Sequence, residues 1–218
     1  PDGVKVIERF AFYNCRSLER VVIADSVEKI DSGAFGNCIA LKEIVIPPHV
    51  EMRSSTWVGT FEGCTALTNV VVSPGVTAIP EGCFSKCTNL RSITLPDDCK
   101  VIGCCAFYKC TNLTEINLPT GLEKIEKRAF EECAALKRIE IPSRVAEIGV
   151  GAFSECNALT SVAVNPNNEC YDSRNNCNAI ICTSSNTLLK GTDTTVIPEG
   201  VTAIGQGAFW GYSALTDI

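Results

Sequence analysis

Apolar and polar residues alternate in short runs that return along the whole chain. In Leu113-Thr-Glu-Ile116-Asn-Leu118-Pro119 the alternation is close to period two and is stopped by proline. That pattern predicts a half-buried strand with Leu113, Ile116 and Leu118 turned inward. Leu122 and Ile125 follow, then Ala129-Phe130 and Cys133, which predict a return path closing over the same interior. The last apolar residue of each run marks a regular step: Ile23, Ile46, Val72, Leu95, Leu118, Ile141, Val164 and Ile197.

A second row keeps that step. Phenylalanine stands in the setting Ala-Phe-x-x-Cys, with Thr60 and Cys83 in the Ala place of two units, at Phe12, Phe35, Phe61, Phe84, Phe107, Phe130 and Phe153, at spacings of 23, 26, 23, 23, 23 and 23, and again at Phe209 after 56 residues, there with Tyr212 in the Cys place. Both rows break in the same places. One unit has no inside of its own, so its apolar set is buried only by stacking on its neighbours. The pattern therefore predicts a repeat solenoid with parallel strands about 4.8 Å apart. About nine such coils would build an inner sheet around 40 Å long.

These residues resemble the leucine-rich repeats of the BspA-like class, also called the Treponema pallidum type, whose unit reads Leu-x-x-Ile-x-Ile-Pro, then Val-x-x-Ile, then Ala-Phe-x-x-Cys. The likeness runs through nearly all of the chain. It implies a single right-handed leucine-rich-repeat coil over residues 1–218, with a parallel β-sheet on the concave face and short turns, 3₁₀ or helical segments on the convex face. It also implies a secreted or surface-displayed microbial protein that adheres to host or matrix proteins. No ligand-binding residue comes with the resemblance, because the shared motif describes the core and not the face. The chain starts mid-coil at Pro1 and stops mid-strand at Ile218, which reads as a stretch of a longer array.

Two departures from the period mark surface loops. Three extra residues between Val50 and Phe61 put Met52 and Trp57 in a bulge on the return side. Trp57 is there either a contact anchor or a cap on the core beneath the widened turn. Between Val164 and Ile197, 33 residues replace 23 and the Ala-Phe-x-x-Cys element is missing. Within this insert at 165–197, Ala179–Cys182 and Thr187–Lys190 flank Thr183-Ser-Ser-Asn186, which predicts a hairpin. The resemblance implies that the insert is a structural variant of the coil; its residues are also a candidate binding ridge.

Seven of the 14 cysteines, Cys15, Cys38, Cys64, Cys87, Cys110, Cys133 and Cys156, share one repeat position, with Tyr212 in that place in the last repeat. Each is expected inside the coil as a small hydrophobe. Cys83 takes the usual Ala place and Cys99 the usual Val place, and Cys104-Cys105 lies in a turn. Cys170, Cys177 and Cys182 share the insert, which leaves one disulfide open.

Chemistry is sparse. His49 is the single histidine and no Cys-x-x-Cys occurs, so no metal site and no cofactor are expected. No phosphate-cradling loop, nucleophile elbow or metalloprotease helix appears, which gives no catalytic residues and a non-enzymatic reading. A net charge of −6 without a basic run argues against nucleic acid and anionic lipid as partners. No apolar stretch approaches the roughly 20 residues of a membrane span, so no membrane insertion is expected.

What remains is a face. Alternation turns one row of strand residues to solvent: Val22, Val45, Val71, Thr94, Asn117, Glu140 and Ala163. The row before it is Arg20, Glu43, Asn69, Ser92, Glu115, Arg138 and Ser161. The concave face thus has an apolar end and a polar end. Val22, Val45 and Val71 with Arg20, Glu43 and Asn69, assisted by Trp57, are the candidate contacts for an extended protein ligand, such as a host matrix or plasma protein. The plainer alternative is that valine is simply a good strand former. A monomer is expected; a structural or self-associating surface role is the other reading.

Overall fold

The alternating runs lie side by side because their inward residues can be covered only by the runs above and below. In the computed structural model, which describes residues 3–54, 58–213 and 215–216, Glu43–Ile46, Asn69–Val72 and Ser92–Thr94 form a parallel sheet in that order. Arg138–Ile141 and Ser161–Val164 form a second parallel pair. Register follows the period: Val45 lies beside Val71, and Val71 beside Thr94. Ile44, Ile46, Val70, Val72, Ile139 and Ile141 are buried, while the residues between them face solvent.

The run at 113–118 departs from expectation. Leu113 and Ile116 are buried and Leu118 half-buried, yet no strand forms, and the inner ladder is interrupted there. Asn117, a poor strand former, holds the open row at this coil. The run at 20–23 is likewise without strand structure.

The return path carries ladders of its own, built from two-residue strands. Val6–Ile7, Lys29–Ile30 and Glu51–Met52 form one parallel set. Ala78–Ile79, Val101–Ile102, Lys124–Ile125 and Glu147–Ile148 form another. Met52 pairs with Ile30 in this ladder, so it belongs to the regular coil and the extra residues fall after it.

The Ala-Phe-x-x-Cys element is a chain of turns, as in Ala34 N–H to Asp31 O, Gly36 N–H to Gly33 O and Cys38 N–H to Phe35 O. The residue before the cysteine is left-handed in every coil: Asn14, Asn37, Gly63, Lys86, Lys109, Glu132 and Glu155, with Gly211 before Tyr212. Non-glycine side chains resist that conformation. Bonds to the next coil hold it, such as Asn37 N–H to Glu62 O at 2.7 Å and Lys86 N–H to Tyr108 O at 2.7 Å. Among the described residues the one 3₁₀ segment is Arg174–Asn176, in the insert.

Inside, the rings from Phe12 to Phe153 stack in one column, with neighbouring centroids 5.1–5.7 Å apart and planes within 13°. Beside it runs a column of thiols. Each repeat cysteine from Cys38 to Cys156 donates its S–H to the carbonyl of the phenylalanine one coil back, at 3.1–3.3 Å. A thiol suits the place because it fills a small apolar space and still offers a donor. Burial pushes the thiols of Cys110 and Cys156 up to about 12, so they stay protonated and inert. All 14 cysteines are free thiols, including Cys170, Cys177 and Cys182.

In the insert, Ile180–Cys182 pairs antiparallel with Thr187–Lys190. Tyr171–Asp172 flanks the first strand antiparallel, and Ala203–Ile204 flanks the second in parallel. Here the phenylalanine column stops. Cys177, Ala179, Ile181, Leu188 and Ala208 form a small separate core, with Phe209 packed against it.

Candidate protein-binding face

The open side of the inner strands is built by the same alternation that fills the core, so the position of each of its side chains is set by the register. Val45 and Val71 stand directly beside each other, as do Glu43 and Asn69. Val22 continues the row without strand pairing and is 86 % exposed, against 56 % for Val45 and 40 % for Val71. Arg20 meets Glu43 at 3.3 Å. Both side chains are well exposed, so water screens the pair and it serves orientation more than stability. Five of the sequence-derived residues are therefore joined by register or an ion pair, and Val22 extends the row. Trp57 lies outside the described residues.

Toward the polar end the face is hollowed. A depression of about 610 Å³ opens where the inner ladder is interrupted, bordered by Asn117, Arg138, Glu140, Ser161, Ala163 and Asn165. Arg138 reaches Glu115 at 3.7 Å, which makes this charge group an exposed ion pair. A second hollow of about 420 Å³ shares Ala163 and Asn165 and extends into the insert along Asp172, Arg174, Asn176 and Asn178. Arg174 is locked by Asp172, whose carboxylate takes bonds at 2.7–3.1 Å, and by Asn186 Oδ1 at 3.0 Å. The carboxylate beside it raises the Arg174 guanidinium above its usual value.

Sequence reasoning missed these hollows. Their signals were Asn117, the polar member of an otherwise strand-forming pattern, and the asparagine-rich insert, neither of which states where a cavity opens. Among the described residues no group of three or more His, Cys, Asp or Glu side chains is placed to hold a metal ion. No helix there is long and apolar enough to cross a membrane.

With this geometry in hand, comparison with known proteins is decisive about kinship. The model of the BspA type leucine rich repeat region matches residues 1–103 and 77–215, in six copies. The chain belongs to the BspA-type leucine-rich-repeat family. Among solved structures, a leucine rich cell surface protein from Faecalibacterium prausnitzii is 30 % identical, with a TM-score of 0.76 over 94 % of this chain and 56 % of that one. A leucine-rich repeat protein from Bacteroides ovatus is 29 % identical, with a TM-score of 0.68 over 77 % of this chain and 42 % of that one. One from Eubacterium ventriosum is 28 % identical, with a TM-score of 0.67 over 77 % of this chain and 45 % of that one. The chain thus spans about half the length of these relatives. No protein with a curated description matches it. As a class, leucine-rich-repeat solenoids are protein-binding scaffolds rather than catalysts, and their concave surfaces are the usual contact.

Proposed function

We propose that this BspA-type chain is the ligand-holding stretch of a secreted or surface-displayed microbial protein, of the Treponema pallidum variety of the family, which grips an extended protein partner along its concave face. One observation carries the reading: Val22, Val45 and Val71 project to solvent from a face whose opposite side is a filled core, flanked by the polar row Arg20, Glu43 and Asn69. An apolar centre with a polar flank is how protein interfaces are composed. Adhesion to host matrix or plasma proteins rests on the family resemblance, and the F. prausnitzii relative is itself described as a cell surface protein. The chain contributes contact and no catalysis in this reading.

The test is binding to a panel of immobilised host matrix and plasma proteins, comparing the native chain with a folded Val22→Glu, Val45→Glu, Val71→Glu variant. Saturable binding that the variant loses is the expected outcome. Binding that survives moves the site to the insert hollow or another surface. A native chain that binds nothing removes the adhesin reading and favours a structural spacer.

A further inference from the structure

Eight of the cysteines have a settled place in the core. The repeat cysteines from Cys38 onward are buried and bonded to carbonyls, and Cys83 and Cys99 fill core positions. Cys104 and Cys105 do neither. They are adjacent on the convex turn, both half-exposed, with their Sγ atoms 3.6 Å apart.

Cys105 is left-handed (φ 54°) at the place that Gly33, Gly82, Gly151 and Gly207 take in other coils. Cys104 stands where other coils have Ser32, Glu81, Lys127 and Val150, a place with no fixed demand on the side chain. Packing therefore explains neither thiol. The backbone beneath them is clamped: Cys104 N–H donates to Glu126 Oε2 at 3.0 Å, Cys105 N–H to Lys127 O at 3.1 Å, and Cys104 O accepts from Gly82 N–H at 2.8 Å. The sulfurs thus face each other at 3.6 Å over a fixed backbone, short of a bond but within reach of one.

We propose that Cys104 and Cys105 form a dithiol exchange site that takes low-molecular-weight disulfides as its substrate class and closes to a disulfide between adjacent residues. The Cys104 thiolate attacks one sulfur of the disulfide RSSR, whose S–S bond breaks, and the departing RS⁻ takes a proton from water. Cys105 then loses its proton to water and attacks the Cys104 sulfur, and a second RS⁻ leaves and is protonated. The protein thiols lose two electrons and two protons, and RSSR gains them as two RSH.

Burial, with the neighbouring Cys104 thiol, pushes the Cys105 thiol up to about 12. The raised Cys105 thiol makes ring closure the slow step, accelerated by alkali. Adjacent Cα atoms are about 3.8 Å apart, whereas most disulfides span roughly 4.4–6.8 Å. The closed ring is strained and reopens in excess thiol, the behaviour of a labile bond rather than a structural one.

The experiment incubates the native chain with oxidised glutathione, alkylates the remaining thiols and measures the mass of the peptide carrying both residues. Cys182 is an internal reporter of thiol reactivity. Burial alone would raise its thiol, but hydrogen bonds from Ser184 and Ser185 bring it down to about 7. The native peptide is expected to be short of two hydrogens and free of glutathione, and to return to the dithiol in excess reductant. Cys105→Gly, which adopts the residue of four other coils, is expected to retain glutathione on Cys104. Cys104→Ser is expected to leave Cys105 unmodified at neutral pH. Native protein that keeps glutathione on Cys104, that pairs either residue with another cysteine, or that leaves both thiols open to alkylation while Cys182 carries glutathione, overturns the proposal.

Discussion

From Phe12 to Val164 the molecule is held by like groups stacked on like, whereas from Asn165 onward a small apolar core is closed by individual polar side chains. In the first region every ring of the phenylalanine column meets a ring and every repeat thiol from Cys38 onward meets a carbonyl. The second region has no such column, and its side chains terminate the ladders that the first leaves open. Asn178 Oδ1 accepts from the Val162 amide on the outer edge of the inner ladder at 2.6 Å, and its Nδ2 donates to Thr160 O at 2.9 Å. The Tyr171 hydroxyl accepts from Ile148 N–H, on the outer edge of the return ladder, at 2.9 Å. Tyr212 donates to the carbonyls of Cys156 and Leu159. A period breaks safely only where each exposed backbone group acquires a partner, because a buried unpaired amide or carbonyl is costly.

The largest expected effect tests the column. Phe84→Ala removes a ring with no solvent exposure and a stacked neighbour on each side. It should cost about 3–5 kcal/mol. Phe209→Ala removes a half-buried ring outside the column and should cost clearly less. Urea unfolding of both variants checks this; equal losses would show that stacking does not set the two regions apart.

Next comes Lys190, a charge in the interior of the second region. Its side chain is 3 % exposed, and its Nζ has no hydrogen-bond partner among the described residues, lying 4.6 Å above the Tyr212 ring. Burial lowers its pKa from 10.5 to about 8. Between those values the unfolded chain binds more protons than the folded one. Stability should therefore rise with pH from 8 to 10.5, by about 3 kcal/mol in all, and be insensitive to this residue below pH 8. At neutral pH the full penalty of the buried charge is present. Lys190→Met should be more stable than the native chain at pH 7 and should lose the alkaline rise, both read from unfolding midpoints across pH.

The smallest effect is local. Asn178→Ala strips the partner from the Val162 amide and should cost about 1–3 kcal/mol. Hydrogen exchange at Val162 should accelerate while Val70, in the middle of a ladder, keeps its protection. A uniform acceleration across both amides would mean that the side chain supports the whole stack rather than one edge.

Much of the fold was legible before any coordinates. The step between phenylalanines, the alternating runs and the position of the repeat cysteines follow from chemistry repeated at one spacing, and repetition leaves stacking as the only way to bury the apolar set. The exposed rows through Val45, Val71, Glu43 and Asn69 follow from the same alternation. Asn178 and Tyr171 were not legible as ladder ends, because nothing in an asparagine-rich segment says which amide a side chain will reach. Nor was the nearness of the Cys104 and Cys105 sulfurs, which depends on rotamers and on Cys105 occupying a left-handed turn.

Sequence by itself determined the coil, its period and which residues face in or out, since those depend on spacing along one chain. Tertiary structure alone decided where the inner ladder opens at Asn117, how the insert closes the regular stack and which polar groups meet. Those outcomes depend on contacts between neighbouring coils, whose geometry no single repeat contains.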